Sequence, residues 1–353
     1  MANPNSSESK IRAVVLGASG YTGAELVRLL MAHRHVEIAA LTGSSQAGQP
    51  IHAIYPHLRG LGLPDLITME AVNWRGVDVA FCCLPHGASQ KAVSAIPASV
   101  VVIDLSADFR LKDAKTYAEW YGEHPAPEKL AEAVYAMPEL NRAEIKNAQL
   151  IACPGCYPTA SQLPLVPLLR EGIIAADSII IDAKSGVTGA GRSLKQSNLY
   201  TEVNEGIGAY AIGHHRHMPE IEQGLSQAAG KPVTISFTPH LVPMNRGILT
   251  TIYVGLASGK TVEDARKALR KAYEGEAFVT ICDDKDAPPT THQVRGSNRC
   301  MIALYPDRAK GRMIIVSVID NLLKGASGQA VQNMNLRFGF PEAMGLEGAA
   351  IFP

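Results

Sequence analysis

A glycine-rich turn between an apolar run and an amphipathic segment is the feature that most constrains the fold of this chain. The stretch VVLGASGYTGAEL places Gly17, Gly20 and Gly23 after the run IRAVVLG and before AELVRLLMAHR, where apolar residues recur at helical spacing. A turn in this position directs backbone N–H groups and the positive end of a helix toward a pyrophosphate. The sequence therefore predicts a dinucleotide site, with further contacts from three side chains of the turn: Ser19, Tyr21 and Thr22.

Short apolar runs alternate with longer amphipathic segments throughout the first 150 residues. The runs VEIAALT, VDVAFCCLP and SVVVIDLS follow the first strand, and this alternation is typical of βαβ units with a doubly wound, mostly parallel sheet. Later runs such as SIIIDAKSGVTG and VTISFTPHLVPM predict strands with few helices between them. We expect an α/β fold in which a Rossmann-type domain precedes an α+β domain built on a mixed sheet.

The last segment, SGQAVQNMNLRFGF, predicts a helix that returns to the first domain. The expected dinucleotide-binding domain therefore combines residues 11–155 with residues 325–353. Residues 156–324 form the expected second domain, and residues 1–10 form a loose tail. This boundary depends on the change of pattern near residue 155, because no low-complexity linker marks it.

Composition narrows the class of partner. Lys plus Arg and Asp plus Glu balance at 33 each, so no net charge attracts the chain to nucleic acid or to an anionic membrane. No apolar run reaches the roughly 18 residues of a membrane span. Six cysteines in 353 residues, after a polar start, indicate reduced thiols rather than a disulfide scaffold. We expect a cytoplasmic protein with a small-molecule partner.

The segment after the second predicted strand bears on the choice of cofactor. NAD-preferring domains offer Asp or Glu to the ribose 2′-hydroxyl at this point. Here the chain reads ALTGSSQAG, and the side chains of Thr42, Ser44 and Ser45 are neutral. A 2′-phosphate is therefore tolerated, and the sequence favours NADP over NAD.

Two cysteines flank a Pro-Gly in CPGCYPT. Cys156 precedes an apolar segment, where a helix N-terminus would stabilise a thiolate, whereas Cys153 ends a strand-like run. Pro164 and Pro167 predict a kinked or broken helix beyond Cys156. Because nicotinamide exchanges hydride with carbonyl carbon, a thiol that holds an acyl group fits a dinucleotide domain. A redox pair and half of a zinc site remain alternatives.

A histidine-rich stretch, GHHRHMPEIEQGL, supplies a candidate base. Pro219 is typical of a helix start, so His217 is expected just before a helix, whose positive end disfavours the imidazolium. A neutral imidazole near neutral pH is what a general base requires. A solvated turn, or a metal bound by His214 and His217, would give the same pattern of residues.

Several blocks together resemble one enzyme family. GASGYTGAELVRLL, CCLPHG, VIDLSADFRL, CPGCYPT, DAKSGVTGAGR, GHHRHMPEIEQ, SFTPHLVPMNRGI and NLLKGASGQAVQNMN are similar to N-acetyl-gamma-glutamyl-phosphate reductases, in the family's order, from about residue 11 to the C-terminus. These enzymes belong to the aspartate-semialdehyde-dehydrogenase-like superfamily and act in arginine biosynthesis. The resemblance implies NADPH-dependent reduction of N-acetyl-glutamyl 5-phosphate to N-acetyl-glutamate 5-semialdehyde, through a cysteine thioester and with release of phosphate.

The resemblance also implies roles for particular residues. It makes Cys156 the nucleophile and His217 the acid and base, while Cys153 inherits no role. It makes Arg110 in SADFR an anchor for the departing phosphate. The loops KSGVTGAGR and NLLKGASG would line the acyl and nicotinamide pockets through Ser185, Gly186 and Asn321. The second domain would bind substrate and form the main contact of a homodimer or homotetramer, and no metal is implied.

Two neighbouring functions are disfavoured. Aspartate-semialdehyde dehydrogenases take their histidine from a block that corresponds here to LVPMNRGILTT, which contains no histidine. A non-catalytic NADP-binding protein on the same fold would be expected to lack either the thiol or the base, and both are present in this chain.

Overall fold

Seven parallel strands form the first sheet of the computed structural model, which describes residues 10–283 and 285–352. The strands in chain order are β1 (Ile11–Leu16), β2 (Val36–Thr42), β3 (Leu66–Ile67), β4 (Val79–Cys82), β5 (Val101–Asp104), β6 (Val134–Tyr135) and β7 (Leu150–Ala152). Their spatial order is β3-β2-β1-β4-β5-β7-β6, which confirms the doubly wound prediction. The order changes direction between β1 and β4, the position at which such sheets bind dinucleotides.

Five helices accompany this sheet. They are α1 (Tyr21–Ala32), α2 (Ser89–Ala95), α3 (Ala114–Tyr121), α4 (Glu128–Glu132) and α5 (Pro138–Ile145). Every residue of β4 and of β5 is buried, which is why these strands are continuous apolar runs rather than alternating ones. The predicted loose tail falls on residues 1–9, outside the described residues, and on Lys10, which is exposed.

A second sheet of seven strands follows. Its strands are β8 (Ile179–Ser185), β9 (Gly208–Ala209), β10 (Ile235–Leu241), β11 (Ile248–Gly255), β12 (Val279–Ile281), β13 (Cys300–Pro306) and β14 (Arg312–Ile319). The order is β12-β13-β14-β11-β8-β10-β9. Two of the pairs, β8 with β10 and β12 with β13, are parallel and the others are antiparallel, as expected for a mixed sheet.

The later helices are α6 (Cys156–Arg170), α7 (Tyr200–Val203), α8 (Met218–Ala229), α9 (Val262–Ala272) and α10 (Gly328–Phe338), and a π-helical turn (Leu323–Ser327) precedes α10. Ala330, Val331 and Met334 of α10 are buried in one cluster with Val15 and Leu26. The C-terminal helix therefore returns to the first domain, as predicted. None of the described helices has the length and apolar character needed to cross a bilayer.

Helix α6 is continuous from Cys156 to Arg170, so the prediction that the segment is broken is wrong, while a kink at its prolines stays a prediction. Pro164 and Pro167 lie inside the helix and are buried. A proline at position 167 leaves the carbonyl of Leu163 without its usual N–H donor. The hydroxyl of Tyr273 donates to that carbonyl instead. Because Leu163, Leu165 and Leu168 are fully buried, packing against the second sheet compensates for the missing hydrogen bonds.

Candidate active site

The glycine-rich turn has the geometry that a pyrophosphate requires. Gly17 has a φ of +80°, and a Cβ there would lie 2.4 Å from the carbonyl oxygen of Cys83. A Cβ on Gly23 would lie 2.4 Å from the carbonyl oxygen of Gly17, so neither position accepts a larger residue. Gly20 precedes α1, and no side chain caps the helix start. The first-turn N–H groups of α1 are thus left for a ligand, and the residues present fit the phosphates of a dinucleotide.

The predicted ribose residues differ in accessibility. Thr42 is buried, and its hydroxyl accepts a hydrogen bond of 3.1 Å from the N–H of Gly17, so it fixes the turn. Ser44 and Ser45 lie just beyond β2 and are exposed. Within the turn, the carbonyl of Thr22 accepts a hydrogen bond of 2.8 Å from the hydroxyl of Ser327. Contact of Thr42 and Ser44 with a cofactor stays a prediction.

Tyr21 of the turn lines a cavity. Its volume is about 560 Å³, and its other walls come from residues 187–204 and 243–245 of the second domain. The carbonyl of Ser19 accepts a hydrogen bond of 3.0 Å from the hydroxyl of Tyr55, which orders the turn from the side of β2. The first-domain turn and the second-domain loops therefore enclose one space.

The two thiols of CPGCYPT occupy different environments. Cys156 is the first residue of α6 and is partly buried, with Gly155 at the N-cap. Cys153 follows β7, has no exposed surface, and its sulfur accepts a hydrogen bond of 3.5 Å from Asn333. All six cysteines are free thiols in the structure. Of the two thiols in CPGCYPT, only Cys156 has exposed surface through which to meet a small molecule, which disfavours the redox-pair interpretation.

Burial governs the proton affinity of the Cys156 thiol. It raises the pKa of Cys156 to about 11, against the opposing effects of the Arg110 guanidinium and of the backbone N–H of Tyr157. The helix start therefore acts in the predicted direction, but its effect is smaller than the cost of desolvating a thiolate. At neutral pH the thiol of the ligand-free site is protonated, so a base has to accept its proton.

His217 lies against the loop that carries Cys156. It is the N-cap residue of α8, as predicted, although Pro219 is the second residue of that helix rather than the first. A Cβ built on Gly155 would lie 2.6 Å from His217 Nε2, so the imidazole approaches the residue just before the nucleophile. The backbone N–H of His217 donates to Nδ1 of His215 at 3.1 Å, and the two rings meet edge to face.

Burial lowers the pKa of His217 well below its ordinary value, and the neighbouring His215, Arg110 and His86 act in the same direction. The imidazole is therefore neutral at neutral pH, and desolvation rather than the helix start is the main cause. His214 is exposed and bonds the carbonyl of Ile212. The described residues contain no group of three or more His, Cys, Asp or Glu side chains arranged to hold a metal.

Arg110 and Glu220 form a buried pair behind Gly155. Arg110 donates to the carbonyl of Cys153 at 2.8 Å and to that of Leu105 at 2.9 Å, and its Nη1 lies 3.4 Å from Glu220 Oε2. The other carboxylate oxygen of Glu220 accepts from the N–H of Gly155 at 2.8 Å. Only 5% of Arg110 is exposed, so its visible contacts hold the cysteine loop. The predicted contact between Arg110 and phosphate stays a prediction.

The remaining predicted residues belong to loops that are tied together. Ser185 ends β8, is buried, and donates to the carbonyl of Gly186 at 3.0 Å. A Cβ on Gly186 would lie 2.7 Å from the carbonyl of Asn245, so only glycine fits. Asn321 accepts from the N–H of Gly247 at 2.7 Å and donates to Thr188 at 2.9 Å. Asn321 therefore joins the predicted acyl and nicotinamide loops, and its contact with a cofactor stays a prediction.

Sequence reasoning did not single out three neighbours of Cys156 and His217, although one of them, Gly325, lies in the predicted pocket loop NLLKGASG. Glu220 carries the hydrogen bond to Gly155, and its spacing of three residues from His217 on the start of one helix is a signal that was available. His86, whose pKa is lowered to about 4 by burial, accepts a hydrogen bond of 3.1 Å from the N–H of Ala107. Gly325 approaches so closely that a Cβ there would lie 2.7 Å from Cys156 Cβ.

Two family models cover most of the chain. The semialdehyde dehydrogenase NAD binding domain matches residues 12–148, and the semialdehyde dehydrogenase dimerisation domain matches residues 156–321. Among solved structures, aspartate semialdehyde dehydrogenase II from Vibrio cholerae superposes with a TM-score of 0.70 over 94% of this chain and 99% of that chain, at 17% identity. The enzyme from Candida albicans, solved with NADP, gives 0.69 over 93% and 98%, at 18% identity. These likenesses establish the fold.

Curated relatives are much more similar in sequence. N-acetyl-gamma-glutamyl-phosphate reductase of Rhodospirillum rubrum is 54% identical over 350 residues, which cover 98% of this chain and 99% of that protein. Probable N-acetyl-gamma-glutamyl-phosphate reductase, chloroplastic, of Arabidopsis thaliana is 52% identical over 347 residues, which cover 98% of this chain and 86% of that protein.

Proposed function

The chain belongs to the N-acetyl-gamma-glutamyl-phosphate reductase family, within the semialdehyde dehydrogenases, and on that premise we propose its reaction. It reduces N-acetyl-glutamyl 5-phosphate to N-acetyl-glutamate 5-semialdehyde with NADPH and releases phosphate, as a step of arginine biosynthesis. The observation that carries this proposal is the placement of His217 Nε2 against Gly155, next to a partly buried Cys156 at the start of α6.

The first half of the reaction uses the thiol and the imidazole. The neutral imidazole of His217 accepts the thiol proton, and the Cys156 sulfur attacks the acyl carbon. The carbon–oxygen bond to the phosphate breaks, the phosphate leaves with the bonding electrons, and a thioester remains on Cys156. The Arg110 guanidinium and the N–H groups at the start of α6, which both favour the thiolate of Cys156, are the groups proposed to stabilise the negative charge in this exchange.

The second half returns the site to its starting state. NADPH, when bound in the turn formed by Gly17, Gly20 and Gly23, supplies the hydride that brings the acyl carbon to the aldehyde level. The carbon–sulfur bond then breaks, and the proton held by His217 returns to the Cys156 sulfur. The hydrogen bond from the N–H of Gly155 to the carboxylate of Glu220 links the cysteine loop to the helix that carries His217.

A substrate comparison tests this function. Oxidation of NADPH is followed at 340 nm with N-acetyl-glutamyl phosphate and with aspartyl phosphate as alternative substrates, using the wild-type protein and Cys156→Ser. We expect turnover of the acetylglutamyl substrate that Cys156→Ser abolishes. A preference for aspartyl phosphate would assign the chain to the neighbouring branch of the superfamily, and turnover by Cys156→Ser would refute the thioester route.

We propose that the protein is a homo-oligomer, with a dimer formed through the open face of the second sheet. Ile179, Ile181 and Ala183 of β8 are buried under the helices, whereas the alternating side chains of this strand face away from them. Ile180 on that open face is 42% exposed, which is unusual for isoleucine in the middle of a central strand. Light scattering of the wild type and of Ile180→Asp tests this, because a charge there should favour monomers.

We also propose where the boundaries of the two domains lie. We infer a division into residues 11–155 with 325–353 and residues 156–324, supported by the two sheets and by the packing of α10 on the first one. Limited proteolysis followed by mass spectrometry of the fragments tests that division.

We propose a cytoplasmic compartment, which the six free thiols support, and localisation of the tagged full chain tests it.

A further inference from the structure

A guanidinium from the second domain lies beside the nucleotide-binding turn. Arg192 belongs to the loop between β8 and α7, and its Cζ lies 5.5 Å from the centre of the Tyr55 ring. The hydroxyl of that same ring donates to the carbonyl of Ser19 at 3.0 Å. The segment that follows β2, residues 43–50, contains no arginine for a 2′-phosphate, whereas the fold brings Arg192 to this edge from more than a hundred residues away.

Arg192 is linked through Tyr55 to Ser19 of the nucleotide-binding turn. The Oγ of Ser19 lies 3.6 Å from a Cβ built on Gly43. Gly43 is followed directly by the exposed Ser44, at the point where dinucleotide domains contact the adenosine ribose. Arg192 itself is exposed, so its guanidinium is available to a ligand.

The cavity beside the turn has a matching charge. Arg192 and Lys195 are among its lining residues, Tyr21 of the turn is another, and the lining contains no Asp or Glu. A cavity lined by two cations and no carboxylate is suited to an anionic ligand. Arginine stacks on aromatic rings, as Arg192 does on Tyr55, and its guanidinium can bind phosphate through two parallel N–H groups.

We propose that Arg192 binds the 2′-phosphate of NADP and is the main determinant of the preference for NADP over NAD. This inference rests on the proposed function, because it assumes that the turn binds a nicotinamide dinucleotide. In this proposal Tyr55 positions the guanidinium, and Ser44, which directly follows Gly43, supplies a hydroxyl. The second domain thus contributes to cofactor choice, which in the expectation from sequence belongs to the first domain alone.

Binding of cofactor fragments tests the proposal without any turnover. Titration calorimetry compares adenosine 2′,5′-bisphosphate with adenosine 5′-monophosphate on the wild type, Arg192→Ala and Arg192→Lys. Because Arg192→Ala loses a charged hydrogen bond to phosphate, we expect it to lower the affinity for the bisphosphate by about tenfold to a hundredfold. The affinity for the monophosphate should fall by less than about twofold. Arg192→Lys should retain only part of the preference for the bisphosphate, since lysine lacks the planar guanidinium that binds phosphate through two N–H groups.

Two results would overturn the assignment. Equal weakening of both fragments would place Arg192 on the pyrophosphate instead of the 2′-phosphate. Lys195→Ala removes another cation from the same cavity and is the matched control. An equal loss of bisphosphate affinity in this variant would show that the preference comes from the general positive charge of the cavity. Failure of the proposed function would be distinguishable from failure of this proposal. A protein that bound these fragments as expected but reduced no acyl phosphate would support the Arg192 site and contradict the proposed reaction.

Discussion

Gly155 and His217 are packed so closely that a methyl group on Gly155 would lie 2.6 Å from His217 Nε2. The same methyl group would lie 2.9 Å from Arg110 Nη1, so no free space adjoins this glycine. The imidazole can therefore approach the cysteine loop this closely only because the residue before the nucleophile has no side chain.

Replacement of Gly155 by alanine should displace the imidazole. We expect Gly155→Ala to lower kcat by roughly tenfold to a thousandfold, because a misplaced acid or base loses most of its contribution. Steady-state assay of NADPH oxidation measures the loss, and Gly348→Ala, at a glycine with open space around it, is the matched control. Unchanged kcat in Gly155→Ala would show that His217 is not held by this contact.

The two thiols should respond differently to substitution. Cys156→Ser should lose nearly all turnover, because a serine hydroxyl has little nucleophilic anion at neutral pH. Cys153→Ser should retain turnover and lose only stability, since Cys153 is buried and bonds Asn333. Mass spectrometry of the protein after incubation with acyl phosphate alone locates the thioester. An acyl group found on Cys153 would contradict the assignment of the nucleophile.

Loss of the imidazole should affect chemistry more than binding. His217→Asn is expected to lower kcat by roughly 10² to 10⁴ with little change in NADPH affinity. The lowered pKa of His217 places the acid limb of the wild-type profile of kcat/KM below the ordinary histidine range, because the base is lost only when the imidazole is protonated. A wild-type acid limb centred above pH 7 would be inconsistent with a buried, neutral His217.

The protonation state of Cys156 can be measured in the free enzyme. Its pKa is raised to about 11, so the thiolate fraction, and with it the rate of alkylation by iodoacetamide, should increase about tenfold per pH unit between pH 7 and 9. The measurement uses Cys153→Ser, and peptide mapping confirms that Cys156 is the residue modified. A rate that reaches a plateau below pH 7 would show that the helix start outweighs burial.

The buried pair behind the loop should matter for stability and for catalysis together. Glu220→Gln leaves the guanidinium of Arg110 buried without its counter-charge, and breaking such a pair costs about 3–5 kcal/mol of unfolding free energy. Denaturant unfolding measures that cost. We also expect a lower kcat with an unchanged KM for NADPH, because Glu220 holds Gly155 and does not line the cofactor cavity. A stable variant with full kcat would refute the positioning role.

The sequence was sufficient to predict the parts of this site that depend on local pattern. Gly17, Gly20 and Gly23 could be placed because a strand and a helix adjoin them, and resemblance to a family singled out Cys156 and His217. The contacts of Arg110 could not be predicted, because its partner Glu220 is 110 residues away along the chain. A local sequence pattern carries no information about which side chain, distant along the chain, contacts a given loop in the folded protein.

Two other differences have the same origin. Proline at positions 164 and 167 correctly signals weak local helix propensity, yet tertiary packing and the Tyr273 hydroxyl outweigh it. The helix start at Cys156 correctly signals a favourable dipole, yet desolvation by the surrounding fold is larger. In both cases the local prediction identified a real effect and lacked the magnitude of the competing long-range one.

The return of α10 to the first sheet has a consequence for synthesis of the chain on the ribosome. Ala330, Val331 and Met334 fill the same core as Val15 and Leu26, so the first sheet has an incomplete core while residues 156–321 are being made. The second sheet draws its strands from one continuous stretch of chain, β8 to β14, and therefore has all of them available earlier. We therefore expect the core of the first sheet to be completed only after the second sheet can form, the reverse of the usual N-terminal-first order.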